Sequence, residues 1–185
     1  MHAMLSDWFI FPGRFQPFHN GHDAVVRRFL TCYSDSNLCL GIIFDYTRND
    51  IHGDAYDEES AEHFVPERNP WTTYQRLSAI ETYIRSQHSA RLLTTLLPRP
   101  SRLHSWQIIR SMFPGKRMWV IPACGESWDD RKATFFEDMG DEVLRITAPS
   151  EPNGYNIRRA FAEKQYEIVK NLVPLPIWKS LEASL

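Results

Sequence analysis

The chain lacks most of the features that would place it in a specialised class. Its three cysteines, Cys32, Cys39 and Cys124, are scattered along 185 residues. An odd set without metal-ligand spacing argues against a disulfide framework and for reduced thiols acting as small buried side chains. No apolar run approaches the roughly 20 residues of a membrane helix. Met1-His2-Ala3-Met4 also lacks the basic-then-apolar order of a secretory leader. The expectation is a cytoplasmic protein with no membrane partner. Charge of one sign is missing too: 21 basic residues stand against 23 acidic ones, for a formal charge of −2. That balance does not indicate the broad basic footprint of a protein that binds nucleic-acid polymers, so any phosphate ligand must be held locally. No internal repeat or low-complexity tract is visible.

The chain does contain enough apolar material for one good core. With 43% hydrophobic and 24% charged residues, it reads as one globular domain over 1–185. Short apolar runs at 8–11, 38–44, 92–97, 118–121 and 143–146 have the length of buried strands. Helical spacing appears in Ala24, Val25, Val26, Phe29 and Leu30, in Leu77, Ile80, Tyr83 and Ile84, and in Leu103, Trp106, Ile109 and Phe113. Strands alternating with helices imply right-handed crossovers and a parallel sheet covered on both faces, a doubly wound α/β domain. Ligands bind such sheets beyond the carboxyl ends of the strands, where strand order reverses. The segment 172–178 reads as a turn into a short terminal helix packed on the sheet. One stretch breaks the rhythm. Near 45–68, Asp54, Asp57, Glu58, Glu59 and Glu62 cluster between His52 and His63, in a connection longer than ordinary. It reads as a solvated acidic insertion, with a metal site or active-site lid as the alternative.

The densest chemistry lies in Gly13-Arg14-Phe15-Gln16-Pro17-Phe18-His19-Asn20-Gly21-His22, where the first strand hands over to the first helix. The first N–H groups of a helix have no intrahelical partner, and the helix dipole leaves partial positive charge at the same end. Gly13 and Gly21 let backbone approach a ligand closely. His19 and His22, three apart on a first turn, lie on one face and can point at one triphosphate. Imidazoles donate to phosphate while their own charge stays tunable by the ligand. A second such place follows the last strand. Asn153 is a good cap, Gly154 exposes backbone N–H groups and Arg158 lies one turn in, so this helix start can hold β- and γ-phosphates. The plain alternative is an ordinary capped helix with a surface arginine.

The joint pattern, a strand followed by Gly-Arg-Phe-Gln-Pro-Phe and His-x-Gly-His opening a helix, resembles the signature of the nucleotidylyltransferase superfamily. Its longer form is similar to archaeal-type nicotinamide mononucleotide adenylyltransferases, which also occur in bacteria. Two further segments fit that resemblance. Gly154, Ile157 and Arg158 match the family's Ser-Gly-Thr-x-Ile-Arg, while Asn153 replaces Ser and Tyr155 replaces Thr, adding bulk beside the phosphates. The run from Asn69 to Arg76 is similar to Asn-Pro-Phe-Thr-Ala-Gly-Glu-Arg, with Gln75 in place of Glu; Thr72 can cap the helix and Arg76 can reach a phosphate or brace the site. After the third strand, Ser101 stands where the family has Asp, flanked by Arg99 and Arg102. Trp106 falls where a Trp stacks on nicotinamide, and it serves equally well as core packing.

The resemblance implies a Rossmann-like nucleotidylyltransferase fold with strand order 3-2-1-4-5. It also implies a reaction: an acceptor phosphate attacks the α-phosphorus of a nucleoside triphosphate, and pyrophosphate leaves. His22 would act on the α-phosphate, assisted by His19 and Arg14. Gly13, Phe15, Gly21, Asn153, Gly154, Ile157 and Arg158 would form the nucleotide and phosphate site. Trp106, Asn69, Arg76 and Ser101 would serve the acceptor, and Gly125, Glu126 and Trp128 would lie near the base or ribose by position. Mg²⁺ is expected from the chemistry, with no dedicated protein ligand. The leading expectation is transfer of AMP from ATP to nicotinamide mononucleotide. A cytidylyltransferase joining CMP to a small phosphate or phosphonate is the alternative, and a catalytically silent nucleotide sensor is a third reading. A homo-oligomer is compatible with all of them.

Overall fold

A computed structural model of the chain describes residues 8–44, 70–100, 103–123, 125, 127–150 and 152–183. The acidic stretch near 45–68, Asn69, Ser101, Arg102, Cys124 and Glu126 lie outside the described residues. The elements run β1 (Trp8–Gly13), α1 (Asn20–Cys32), β2 (Leu38–Phe44), α2 (Thr73–Ser86), β3 (Leu92–Pro98), α3 (Leu103–Met112), β4 (Arg117–Ala123), α4 (Ser127–Asp138), β5 (Glu142–Thr147), α5 (Gly154–Ala162), α6 (Tyr166–Leu172) and α7 (Leu175–Glu182). All strand pairings are parallel, and the order across the sheet is β3-β2-β1-β4-β5. The chain therefore winds outward from β1 to β3, then returns to the other side of β1 with β4. That reversal puts a switch point between β1 and β4, where the carboxyl ends diverge and leave a crevice.

Strand side chains alternate between the two faces, and the core divides accordingly. Phe9, Phe11, Leu38, Leu40, Ile42 and Val120 point into one layer with Val25, Val26 and Phe29 of α1 and Ile80 and Tyr83 of α2. Ile10, Cys39, Trp119 and Ile121 point into the other, against Trp106 and Ile109 of α3 and Phe136 of α4. Every strand residue in this alternation sits where its apolar run requires, because strands buried on both faces need no polar side. Cys39 belongs to the second layer, and burial pushes its thiol up to about 12, which fits a packing role. Among the described residues no helix is long and apolar enough to cross a membrane.

The terminal helix corrects an expectation. It packs against α2 more than on the sheet, because α1 and α2 already cover that face. Ile177 and Leu181 of α7 instead line a small apolar recess with Phe15, Pro17 and Phe18, so the helix backs the β1–α1 loop from below. The end of α6 is tied to the same loop: Asn20 Nδ2 donates to the Asn171 carbonyl at 2.9 Å.

Candidate active site

The β1–α1 loop is folded around one aromatic ring. Phe15 adopts φ of 49°, a left-handed conformation that costs a bulky residue roughly 1–3 kcal/mol. This turn folds the ring back over Gly13, where any Cβ would fall 2.5 Å from Phe15 Cε1. Gly13 thus serves the loop by making room for its own neighbour. Phe15 then packs edge-on against His22 with centroids 5.0 Å apart, and Phe11 and Phe18 complete the cage at 5.8 and 5.3 Å.

Gln16 and Arg76 fix the backbone of this loop. Gln16 is buried; its Nε2 donates to the Trp71 carbonyl at 2.8 Å, and the Trp71 N–H donates to its Oε1 at 3.2 Å. Arg76 Nη1 donates to the carbonyls of Arg14 at 2.7 Å and Ile43 at 2.9 Å, and Nη2 to Thr73 Oγ1 at 3.0 Å. Burial lowers the Arg76 guanidinium to about 10, so it remains charged at neutral pH. It does not line the cavity described below. Its geometry is that of a brace between the ends of β1 and β2. The turn before it forms as the sequence indicates: Thr72 Oγ1 accepts from the Gln75 N–H at 3.2 Å, and Gln75 Oε1 accepts from the Thr72 N–H at 2.8 Å. Gln75 in place of Glu therefore keeps the reciprocal cap.

His19 caps α1, and its ring lies against that of His22. The two imidazoles stack with centroids 3.7 Å apart. The His19 backbone N–H donates to His22 Nδ1 at 3.2 Å. With Nδ1 accepting, a neutral His22 carries its proton on Nε2, and that N–H is the donor left for a ligand. Burial, then the neighbouring His19 and Lys132, hold His22 well below the usual histidine range. Burial, then the Arg158 guanidinium, push His19 down to about 3. Both rings are neutral at physiological pH. Among the described residues His19 Nδ1 is buried without a hydrogen-bond partner, and Gly21 packs beneath the ring, since a Cβ there would come within 3.1 Å of it.

The second helix start meets the first directly. Asn153 caps α5 by accepting the Asn156 N–H at 2.9 Å. Arg158 Nη1 donates to the Gln16 carbonyl at 2.8 Å, crossing over Gly154, where a Cβ would sit 3.0 Å from that nitrogen. Ile157 is fully buried in the first core layer. It seats the helix and does not line the cavity. Tyr155 is 61% exposed and also lies outside the lining, so its bulk points away from the phosphate site.

These elements enclose a cavity of about 250 Å³ at the carboxyl ends of the strands, lined among others by Gly13, Arg14, Phe15, His19, Gly21, His22, Asn153, Gly154 and Arg158. Of the acceptor candidates, Trp106 is placed elsewhere. Only 2% exposed, it packs against Trp119, Phe135 and Phe136 in the second layer, so its face is not offered to a ligand. An apolar helical stripe buries its largest member first, and that stripe won. Gly125, with φ of 82°, is exposed between β4 and α4 and does not line the cavity.

Two charged residues of the described lining escaped the sequence reading. Asp129 and Lys132 in the opening turns of α4 reach the cavity, and Lys132 Nζ lies 2.7 Å from Asp129 Oδ1. The run Trp128-Asp129-Asp130-Arg131-Lys132 looks like a solvated charge cluster. The available signal was its place directly after a central strand, where a helix start faces the crevice.

The sheet order and crossovers define a Rossmann-like fold of five parallel strands in the order 3-2-1-4-5. No protein-family model matches the chain, and no curated protein does either. Solved structures do. A bifunctional NMN adenylyltransferase/ADP ribose pyrophosphatase from Francisella tularensis, complexed with AMP and Mn ion, matches with a TM-score of 0.55 at 15% identity, over 85% of this chain and 42% of that one. Another structure of that enzyme gives 0.59 at 16% identity, over 91% and 45%. Thermotoga maritima TmcAL bound with alpha-thio ATP gives 0.57 at 10% identity, over 96% and 55%. The chain spans about half the length of the solved proteins it matches. At such identities the likeness is one of fold.

Proposed function

We propose that the chain is a nucleotidylyltransferase, transferring AMP from ATP to nicotinamide mononucleotide with release of pyrophosphate. The observation that carries the reading is the cavity itself: two neutral, stacked imidazoles beside three cations, at the switch point of the sheet. In this reaction an acceptor phosphate oxygen attacks the α-phosphorus in line as the bond to the β-phosphate oxygen breaks. No covalent intermediate on the protein is needed, so catalysis reduces to positioning and to donors aimed at oxygens that gain charge. His22 Nε2–H serves the α-phosphate, and His19 and Arg14 assist. Arg158 and the Asn153-Gly154 helix start hold the leaving pyrophosphate.

A divalent cation suits the same chemistry by neutralising the polyphosphate. Among the described residues no group of three or more His, Cys, Asp or Glu side chains could hold a metal, and the described cavity lining includes one carboxylate, Asp129. That donor set fits Mg²⁺ that would keep most of its water and be held mainly by the phosphates, and Asp129 is the described lining carboxylate that would lie nearest to it.

The acceptor rests on the Gly13–His22 motif and on the kinship of fold with NMN adenylyltransferases. A nicotinamide ring would have to lie against residues other than Trp106. The test is pyrophosphate release with ATP or CTP across nicotinamide mononucleotide, nicotinate mononucleotide and simple phosphonates. Turnover with ATP and nicotinamide mononucleotide is the expected result. Turnover with CTP alone would replace the substrate while keeping the mechanism, and no turnover with any pair would favour a nucleotide sensor.

A further inference from the structure

The α4 side of the cavity carries a charged pair that the reaction above leaves without a role in binding phosphate. The imidazoles and Arg158 come from α1 and α5, whose buried residues pack in the first core layer. Helix α4 buries Phe136 in the second layer, on the opposite face of the sheet. Lys132 therefore reaches the cavity from the face that supplies none of the other helix-borne phosphate donors.

The pair is held in place, unlike a surface ion pair. Asp129 is 8% exposed and Lys132 26%, with Nζ and Oδ1 2.7 Å apart. The next residue, Asp130, has the opposite fate: 71% exposed, it pairs with Arg145 on the surface. An ammonium on a flexible stem has three donors and can hold a carboxylate and a phosphate together. A buried carboxylate beside it orients the stem and offsets its charge until an anion arrives. The field of Lys132 is felt at His22, as that of Arg158 is at His19.

We propose that Lys132 is a phosphate ligand of this site, held ready by Asp129, so that a polyphosphate is gripped from both faces of the sheet. The inference rests on the nucleotidylyltransferase reading and adds a residue to it.

The probe is inorganic pyrophosphate, titrated calorimetrically into the intact chain in metal-free buffer, which keeps any metal contact of Asp129 out of the result. Lys132→Met keeps the apolar stem and removes the charge; it should weaken pyrophosphate binding about tenfold or more, the loss of one charge-assisted bond. Lys132→Arg should keep most of the affinity. Asp129→Asn combined with Lys132→Met should stay as weak as Lys132→Met alone. This double variant leaves no unpaired buried carboxylate, so it carries the test if the single variant does not fold. Wild-type affinity in Lys132→Met, or its recovery in the double variant, would overturn the proposal, since either would reduce Lys132 to a neutraliser of Asp129. A wild-type chain that binds no pyrophosphate would overturn the functional reading as well, an outcome distinct from either of those.

Discussion

The two helix starts that face the cavity are made of opposite materials. At α1 the cap is His19, whose backbone N–H is taken by the His22 ring; both imidazoles are neutral, and that of His22 sits within a cage of Phe11, Phe15 and Phe18. At α5 the cap is the ordinary amide of Asn153, followed by a permanently charged, partly exposed Arg158. The difference assigns them different work. A neutral donor is cheap to bury and gains strength in a low-dielectric cage, which suits charge that develops only in a transition state. A fixed cation suits charge already present on a polyphosphate. The two are stitched together at the Arg158 contact to the Gln16 carbonyl, so neither can be placed without the other.

The sharpest way to break that division is to remove one partner at a time. His22→Ala should lower kcat about a hundredfold or more, with KM for the triphosphate little changed, because its donor acts mainly as charge develops. Steady-state kinetics decide it; a loss carried by KM instead would mean that the neutral rings merely bind. Arg158→Met should do the reverse in part, raising KM for the triphosphate about tenfold or more through one lost charge-assisted contact. Some fall in kcat should accompany it, because the variant also releases the Gln16 carbonyl that positions the His loop.

Glycine variants test the stitching at smaller cost. In Gly154→Ala the new methyl meets Arg158 Nη1 at 3.0 Å and the Gln16 carbonyl at 3.3 Å. The guanidinium tip can move but the carbonyl cannot, so Arg158 should shift and KM should rise several-fold, toward the value of Arg158→Met. Gly13→Ala drives a methyl into the Phe15 ring at 2.5 Å. It should lower stability by about 1–3 kcal/mol in urea unfolding, the usual cost of overpacking.

Much of this was legible in the chain. Apolar runs bounded by helical patterns are enough to place five parallel strands, and the Gly13–His22 segment announces its anion-binding turn. Residues with two plausible roles were not legible. Trp106 carries the same aromatic face whether it stacks on a ligand or fills a core, and only the direction of α3 relative to the sheet separates the two. Asp129 and Asp130 are adjacent and identical, yet one is buried at the cavity and the other pairs on the surface. Their fates depend on the rotation of α4, which two side chains in sequence cannot encode. Arg76 reads as a phosphate ligand or a brace with equal ease; the carbonyls that fix its role belong to Arg14, just past β1, and Ile43 of β2, 62 and 33 residues away.

The smallest expected effect is also the most direct reading of the neutral helix start. His19 is pushed from 6.5 to about 3, and His22 is also lowered, both chiefly by burial. Below about pH 6.5 the unfolded chain therefore binds protons that the folded chain refuses. By linkage, the stability these rings contribute is complete above that pH and is lost progressively as pH falls toward about 3. Melting temperature should accordingly drop between about pH 7.5 and pH 5, and His19→Asn should make the drop shallower. A polyphosphate reverses the local balance, because its negative charge favours the imidazolium. Pyrophosphate binding at about pH 5, where the ligand's own ionisation changes little, should then take up a fraction of a proton, visible as a dependence of the calorimetric heat on the ionisation heat of the buffer. The cationic helix start makes no such contribution, since Arg158 keeps its charge throughout. Uptake that survives in Arg158→Met but vanishes in His19→Asn would locate the responsive charge in the stacked imidazoles; uptake unchanged in His19→Asn would assign it to another group and undo the contrast between the two helix starts.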